Sequence, residues 1–235
     1  MNRISLYALC LLAMVVFAAC SSPEKQEQLK EAKVEFADSL LDKYTTVKLE
    51  ADLSQLSQKQ KQIIPKLIDA AKIMDELFWY EAYGRKDSLL SAVEDEKARK
   101  FIQINYGPWD RLNGNEPFLD GIGAKPLGAN FYPEDMTKEE FQAANLEDKT
   151  SLYTFLRRDP TGELETIPYN KQFYNEVQRA ANLLREAAEL AENPELQKYL
   201  TLRAEALMND QYYESDIAWM DMKNSNIDFV VGPIE

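Results

Sequence analysis

Between Tyr106 and Pro133 the chain concentrates five of its eight glycines and four of its ten prolines, interleaved with Trp109, Phe118, Phe131 and Tyr132. Glycine and proline both interrupt regular structure, one by conformational freedom and the other by a fixed φ and a missing N–H. No helix or strand of ordinary length runs through such a stretch. The fold must therefore be built from elements on either side of a long irregular loop. Disordered segments are poor in aromatic residues, whereas this one is rich in them. The pattern predicts an ordered loop packed by its own side chains, the kind of loop that carries binding or catalysis.

The flanking segments are mostly helical. Lys30–Leu41 has apolar residues at mixed helical spacings and predicts a short helix. Tyr44–Leu49 alternates and is rich in β-formers, so it predicts a strand. Ser57-Gln58-Lys59-Gln60 is a capping box opening a long helix, with Ile63, Ile64, Leu67, Ile68, Ala71, Ile73, Met74, Leu77 and Phe78 as its buried stripe. Pro65 predicts kinked or separate first turns, and Gly84 ends the helix. A helix from Asp87-Ser88 through Ile102 precedes the loop. Thr137-Lys138-Glu139-Glu140 caps a short helix towards Ala144. Leu152–Leu156, the turn Asp159–Gly162 and Leu164–Ile167 read as a β-hairpin. Gln172–Ala191 and Pro194–Met208 predict an antiparallel helix pair, followed by a helix over Tyr212–Met222 and a strand over Ile227–Val231. The fold class is α+β and mainly helical, with a β-hairpin and short strands.

The first nineteen residues read as a signal peptide. Arg3 is followed by the uncharged run Ile4–Ala19, shorter than the about 20 residues a membrane-spanning helix needs. Phe17-Ala18-Ala19-Cys20 is like a bacterial lipoprotein cleavage site, which would make Cys20 a lipidated first residue and the membrane a partner through that anchor. Ordinary cleavage leaving a free cysteine is the alternative. Ser21 rather than Asp after the cysteine points to the outer membrane, facing the periplasm or the cell surface. Residues 20–43 then form the lipidated cysteine, a tether and a short helix. Residues 44–235 form the globular part.

Composition removes several chemistries. Without the leader the chain carries 26 basic and 40 acidic residues, a charge balance that disfavours nucleic acid. Cys10 leaves with the leader, so no intramolecular disulfide and no multi-thiolate metal site is possible. The chain has no histidine, so nucleophile–imidazole triads and histidine zinc motifs cannot be assembled from it. A carboxylate pair could still act on glycosides, although among 40 acids some pair falls at any chosen spacing.

A few residues remain as candidates. Trp109, Asp110 and Arg111 could grip a peptide or sugar, or could stitch the loop to nearby backbone while Trp109 fills the core. Asn130 and Tyr132 admit the same two readings. Glu81, inside the aromatic run Phe78–Tyr83, is either a ligand-facing carboxylate or a surface or hydrogen-bonded helix acid. Asp216, Trp219 and Asp221 are either cleft-lining or a solvated face around a buried indole.

Four motifs in order also carry a resemblance: Phe78-Trp79-Tyr80-Glu81-Ala82-Tyr83-Gly84, Asn105–Leu112, Gly128-Ala129-Asn130-Phe131-Tyr132-Pro133 and Gly232-Pro233-Ile234-Glu235. Over roughly residues 44–235 the chain resembles the amino-terminal half of bacterial dipeptidyl peptidase III-like zinc metallopeptidases. It is also similar to the peptidase-like domain of plant nudix hydrolases. The resemblance implies one lobe of a two-lobed metallopeptidase, truncated at its C-terminus, with peptide as substrate and a missing C-terminal catalytic lobe as partner. It implies that Glu235, in a Gly-x-Ile-Glu-x-Tyr segment whose tyrosine place lies beyond this sequence, helps hold the free amino group of a bound peptide. Trp109, Asn130 and Tyr132 are the other substrate-binding candidates. It further implies zinc in the full-length protein, held by two histidines of a His-Glu-x-x-x-His helix (or a one-residue-shorter form) and a glutamate, none of them present here. The expectation is a non-catalytic portion of a membrane-anchored dipeptidyl-peptidase-like hydrolase. The alternative is a non-enzymatic surface lipoprotein that binds oligosaccharides or peptides on aromatic side chains.

Overall fold

The computed structural model describes residues 38–233. The signal peptide, Cys20, the tether, most of the helix expected over Lys30–Leu41, and Glu235 lie outside the described residues; residues 38–41 are helical. The described elements are α1 (Gln58–Ala82), α2 (Lys86–Ala92), α3 (Glu96–Asn105), β1 (Trp109–Asp110), a 3-10 turn (Arg111–Asn113), β2 (Glu116–Pro117), α4 (Lys138–Ala143), β3 (Thr154–Arg158), β4 (Leu164–Pro168), α5 (Tyr169–Gln172), α6 (Tyr174–Leu190), α7 (Pro194–Asn209) and α8 (Tyr213–Asp221). This is a mainly helical α+β lobe whose strands occur in two short antiparallel pairs.

The core is made by α1, α6 and α7, with α8 against α7. Ser57 opens α1 as expected: its Oγ accepts the Gln60 N–H at 3.1 Å, and its own N–H donates to Gln60 Oε1 at 2.9 Å. Ile63, Leu67, Ala70, Ile73, Met74 and Leu77 then face α6. Of the two outcomes expected from Pro65, separate first turns do not occur: α1 is one helix. Pro65 is exposed, so water can reach the Lys61 carbonyl it deprives of a donor. The apolar stripe continues on both sides of it.

Helix α6 presents Val177, Ala180, Ala181, Leu184, Ala187 and Ala188, and α7 presents Leu196, Leu200, Ala204, Ala206 and Leu207. The small alanines let the backbones approach closely. Asn193 caps α7 by accepting the Glu195 and Leu196 N–H groups at 2.8 and 2.9 Å, with Pro194 at the first position. Because only residues 191–193 join them, α6 and α7 are antiparallel, as the sequence predicts. Each fully buried leucine here contributes roughly 1.5–3 kcal/mol relative to exposure.

The hairpin forms with the register Phe155↔Ile167 and Arg157↔Glu165. Asp159 builds its turn, accepting the Thr161 and Glu163 N–H groups at 2.8 and 3.0 Å. Phe155 carries the hairpin into the core, 5.2 Å from Phe131, 5.5 Å from Phe173 and 5.9 Å from Tyr169.

Four expectations need correction. The helix expected from Asp87 is two helices: Val93 is extended, and Asp95 restarts the chain by capping Lys97 and Ala98. The helix expected from Gln172 splits at Phe173, whose backbone leaves the helical region between α5 and α6. Residues 44–49 are not a strand: Val47 and Leu49 are 70% and 91% exposed, and among the described residues no strand supplies a ladder. Residues 227–231 are outside any described sheet, although Ile227 and Val231 are buried.

Candidate functional site

The loop from Tyr106 to Pro133 is ordered from within. Tyr106 ends α3 in the left-handed conformation and packs its ring 4.7 Å from Phe78 and 5.1 Å from Trp79. Its hydroxyl donates to Asp75. Burial, with the Asp75 carboxylate, pushes the Tyr106 phenol up to about 12. Trp109 is buried, 5.8 Å from Tyr83, and its Nε1 donates to the Gly123 carbonyl at 2.9 Å. Asp110, also buried, accepts the Leu112 N–H at 3.0 Å and the Lys43 ammonium at 2.6 Å. Arg111 donates to the Ile104 carbonyl at 3.1 Å and lies over the Tyr106 ring. Between the two readings of this triplet, the contacts are those of a stitched loop with a plugging tryptophan.

Asn130 holds the end of the loop against α1. Its Nδ2 donates to the Tyr80 carbonyl at 2.8 Å and its N–H to the Glu81 carbonyl at 2.9 Å. Arg157 then grips the Asn130 and Phe131 carbonyls at 2.9 and 3.0 Å, tying loop to hairpin. Tyr132 lines a cavity of about 830 Å³, together with Leu127, Phe131, Met136, Phe141 and Leu156. Gly128 makes that arrangement possible. It sits at φ +74°, and a Cβ there would lie 1.9 Å from Tyr132 Cζ.

Below the loop runs a buried polar network. Glu81 is 2% exposed and has the Tyr169 hydroxyl as hydrogen-bond partner, while its Oε1 has none among the described residues. Burial pushes its carboxyl up to about 7, against the opposing Tyr169 hydrogen bond. Burial, then the Glu81 charge, likewise raises the Tyr169 phenol. Asp210 ends α7 in the left-handed conformation and accepts the Asn170 N–H at 3.0 Å. Burial raises its carboxyl above the usual range, with Asn170 and Lys171 opposing. Tyr212 stands next to Asp210 and 4.8 Å from Tyr153, its phenol raised first by burial and then by Asp210.

The network ends at the last described motif. Arg203, buried on α7, pairs with Asp216 and lies over the rings of Tyr199 and Tyr212 at 5.5 and 5.2 Å. Gly232 rests on this platform: a Cβ there would meet Arg203 Nη1 at 3.3 Å and Tyr212 Cε1 at 3.6 Å. Asn130, Glu81 and Tyr169 are thus joined by hydrogen bonds, and Tyr212, whose charge would act on Tyr169, joins Arg203 under Gly232. Asp216 serves Arg203, and Trp219, expected to be a buried indole, is exposed instead, because its Nε1 donates to Asp228 at 2.8 Å on the surface of the helix. Sequence reasoning missed Arg203, Tyr199, Tyr169, Tyr212 and Asp210. The available signal was Arg203 itself, a charge set among the apolar residues of α7.

Among the described residues no group of three or more histidine, cysteine, aspartate or glutamate side chains could hold a metal ion. The donor set does not fit a zinc centre.

No family model matches the chain. Among solved structures it is similar to dipeptidyl-peptidase III from Caldithrix abyssi, with 41% identity and a TM-score of 0.79, over 84% of this chain and 40% of that one. The chain is similar to dipeptidyl-peptidase III in both sequence and fold. Dipeptidyl-peptidase III from Corallococcus sp. strain EGB matches with 34% identity and a TM-score of 0.74, over 80% of this chain and 38% of that one. Nudix hydrolase 3 from Arabidopsis thaliana is 30% identical over 83% of this chain and 33% of its own length. The chain spans a third to two fifths of these relatives. The peptidase-like fold and both expected resemblances are thereby established.

Proposed function

We propose that this chain is the substrate-facing, non-catalytic lobe of a dipeptidyl-peptidase III-like hydrolase that acts on peptides from their free amino end. The observation that carries the reading is the 41% identity to dipeptidyl-peptidase III, spread over 84% of the chain at matching fold. The chain supplies no histidine, so any histidine ligands of a zinc in the complete protein lie outside these residues. Glu235 meets the ammonium of the bound peptide in this reading, a charge-assisted contact that fixes distance from the peptide terminus. The Arg203–Tyr212 platform seats Gly232, three residues before Glu235. Tyr132, in its cavity, and Asn130, at the junction of loop and α1, belong to the wall that positions it, and Trp109 braces the loop. Cys20 carries the lipid that anchors the protein to the outer membrane.

A binding lipoprotein that uses aromatic faces is the weaker reading, because Trp109 is spent on Tyr83 and Gly123. The test is a hybrid in which this chain replaces its counterpart in the Caldithrix abyssi enzyme. The hybrid should hydrolyse dipeptidyl-arylamides with a free amine and spare their N-acetylated forms, and Glu235→Gln should raise KM for the free-amine substrate. Equal cleavage of acetylated and free substrates would overturn the reading.

A further inference from the structure

Asn113-Gly114 is the one Asn-Gly pair in the chain, and it stands at the tip of the turn between β1 and β2. Asparagine is a thermolabile residue: its side-chain amide carbon can be attacked by the backbone nitrogen of the residue that follows. Room and mobility decide whether the attack succeeds. Both residues are exposed, and a Cβ on Gly114 would meet nothing within 4 Å, so the approach is open. Glycine also lacks the side chain that hinders the attacking nitrogen, and its φ and ψ are the least restricted of any residue. Among the described residues the Asn113 side chain has no hydrogen-bond partner. By contrast Asn105 is buried, and the side chains of Asn130, Asn182 and Asn209 are held in hydrogen bonds. Asn224, exposed and followed by the small Ser225, is the natural comparator. The turn itself is fastened at Asp110, whose side chain accepts the Leu112 N–H at 3.0 Å and whose carbonyl accepts the Asn115 N–H at 2.9 Å. Across the turn Asp110 pairs with Glu116, and Trp109 with Pro117.

We propose that Asn113 is a site of spontaneous deamidation whose isoaspartyl product unfastens this turn. The Gly114 nitrogen bonds to Asn113 Cγ, and the side-chain NH2 leaves with the Gly114 amide proton as ammonia. Water then opens the resulting succinimide ring. Opening at the side-chain carbonyl restores the ordinary backbone with an aspartyl side chain. Opening at the main-chain carbonyl leaves an isoaspartyl unit, whose backbone runs through Cβ. That unit adds a methylene between the paired residues Asp110 and Glu116, which draws the Asn115 N–H off the Asp110 carbonyl. Either product also adds a negative charge to the exposed tip. The buried Trp109 lies next to Asp110, so the disturbance starts where the loop enters the core. The site stands apart from the proposed function and survives its failure.

Peptide mapping of the stored 235-residue chain tests it. Samples are kept at pH 6 and pH 9, and mass spectrometry with electron-transfer fragmentation locates each amide that has become an acid and separates aspartyl from isoaspartyl. Asn113 should convert about 10-fold or more faster than Asn224, a difference of about 1.4 kcal/mol in barrier. Conversion should be faster at pH 9, because the attacking nitrogen must lose its proton. Asn113→Gln should stop it, since the longer side chain closes a less favourable ring. The stored chain should lose several degrees in Tm, and Asn113→Gln stored in parallel should keep its own. Freshly made Asn113→Asp, which has the charge without the added methylene, should stay within about 1 °C of the parent. If Asn113 stays intact in the folded chain but converts in urea, the fold protects the pair and the inference is overturned. Conversion of Asn224 at the same rate overturns it as well. An isoaspartyl-rich chain with the parent's Tm, or an Asn113→Asp variant that loses as much as the stored chain, overturns the claim that the lengthened backbone unfastens the turn.

Discussion

Replacing Glu81 by glutamine should make the protein more stable at pH 8 and leave it nearly unchanged at pH 5. The carboxyl is 2% exposed, and burial lifts it from the ordinary 4.5 to about 7. Below pH 4.5 both folded and unfolded chains hold this proton, so its contribution to stability is constant. Between 4.5 and 7 the folded chain keeps the proton while the unfolded chain releases it, so stability falls as pH rises. Above 7 the full penalty is in place. At about 1.4 kcal/mol per unit, the whole window costs about 3 kcal/mol, or about 10 °C in Tm for a domain of this size. Glutamine keeps the shape and the neutral acceptor for Tyr169 but cannot ionise. Asp210, also raised by burial, changes in the same sense in both proteins and cancels from the difference. The carboxylates lowered by their hydrogen bonds, such as Asp135 and Glu140 beside Arg158, lose their contribution only at lower pH. Urea titrations followed by circular dichroism at pH 5, 6, 7 and 8 read the difference directly. Parallel profiles for the two proteins, or a gain largest at pH 5, would refute the reasoning.

Three further outcomes follow from the packing. Gly128→Ala should cost about 2 kcal/mol or more, because it combines a positive φ with a collision against the Tyr132 ring; denaturant melts showing under 0.5 kcal/mol would contradict the close approach. Asp216→Ala should cost about 3 kcal/mol by stranding the buried Arg203 guanidinium, whereas Arg203→Met should cost less, since water reaches the half-exposed Asp216; the reverse order in urea titrations would count against the platform. Pro65→Ala should stabilise by about 2 kcal/mol, because a helix-interior proline costs about 3 kcal/mol and returns about 1 through the unfolded chain; a loss of thermal stability would show that the proline is needed where it stands.

Much of the helical frame was legible in the sequence, and for local reasons. Ser57, Asn193 and Thr137 announce their helices because a cap is a contact between residues two or three apart. The hairpin is legible because Asp159 and Gly162 build its turn from neighbours. The failures are non-local. Residues 44–49 and 227–231 have strand composition, yet a ladder needs a partner that no local pattern specifies. Helix α1 survives Pro65 because packing against α6 outweighs one lost hydrogen bond. The buried network is the largest omission. Glu81, Tyr169 and the group Arg203, Asp210 and Tyr212 come from three separate stretches, and only the folded chain brings them together. Glu81 is not a surface acid, since it is buried, and its Tyr169 contact makes it a hydrogen-bonded one.

The account depends on the idea that these residues form a wall and leave the reacting centre to others. Zinc content and dipeptidyl-arylamide turnover, measured together on the purified 235-residue chain, address it most directly. The expected result is no stoichiometric zinc and no turnover above the no-protein rate at any zinc concentration. Stoichiometric zinc with chelator-sensitive hydrolysis by this chain alone would contradict it.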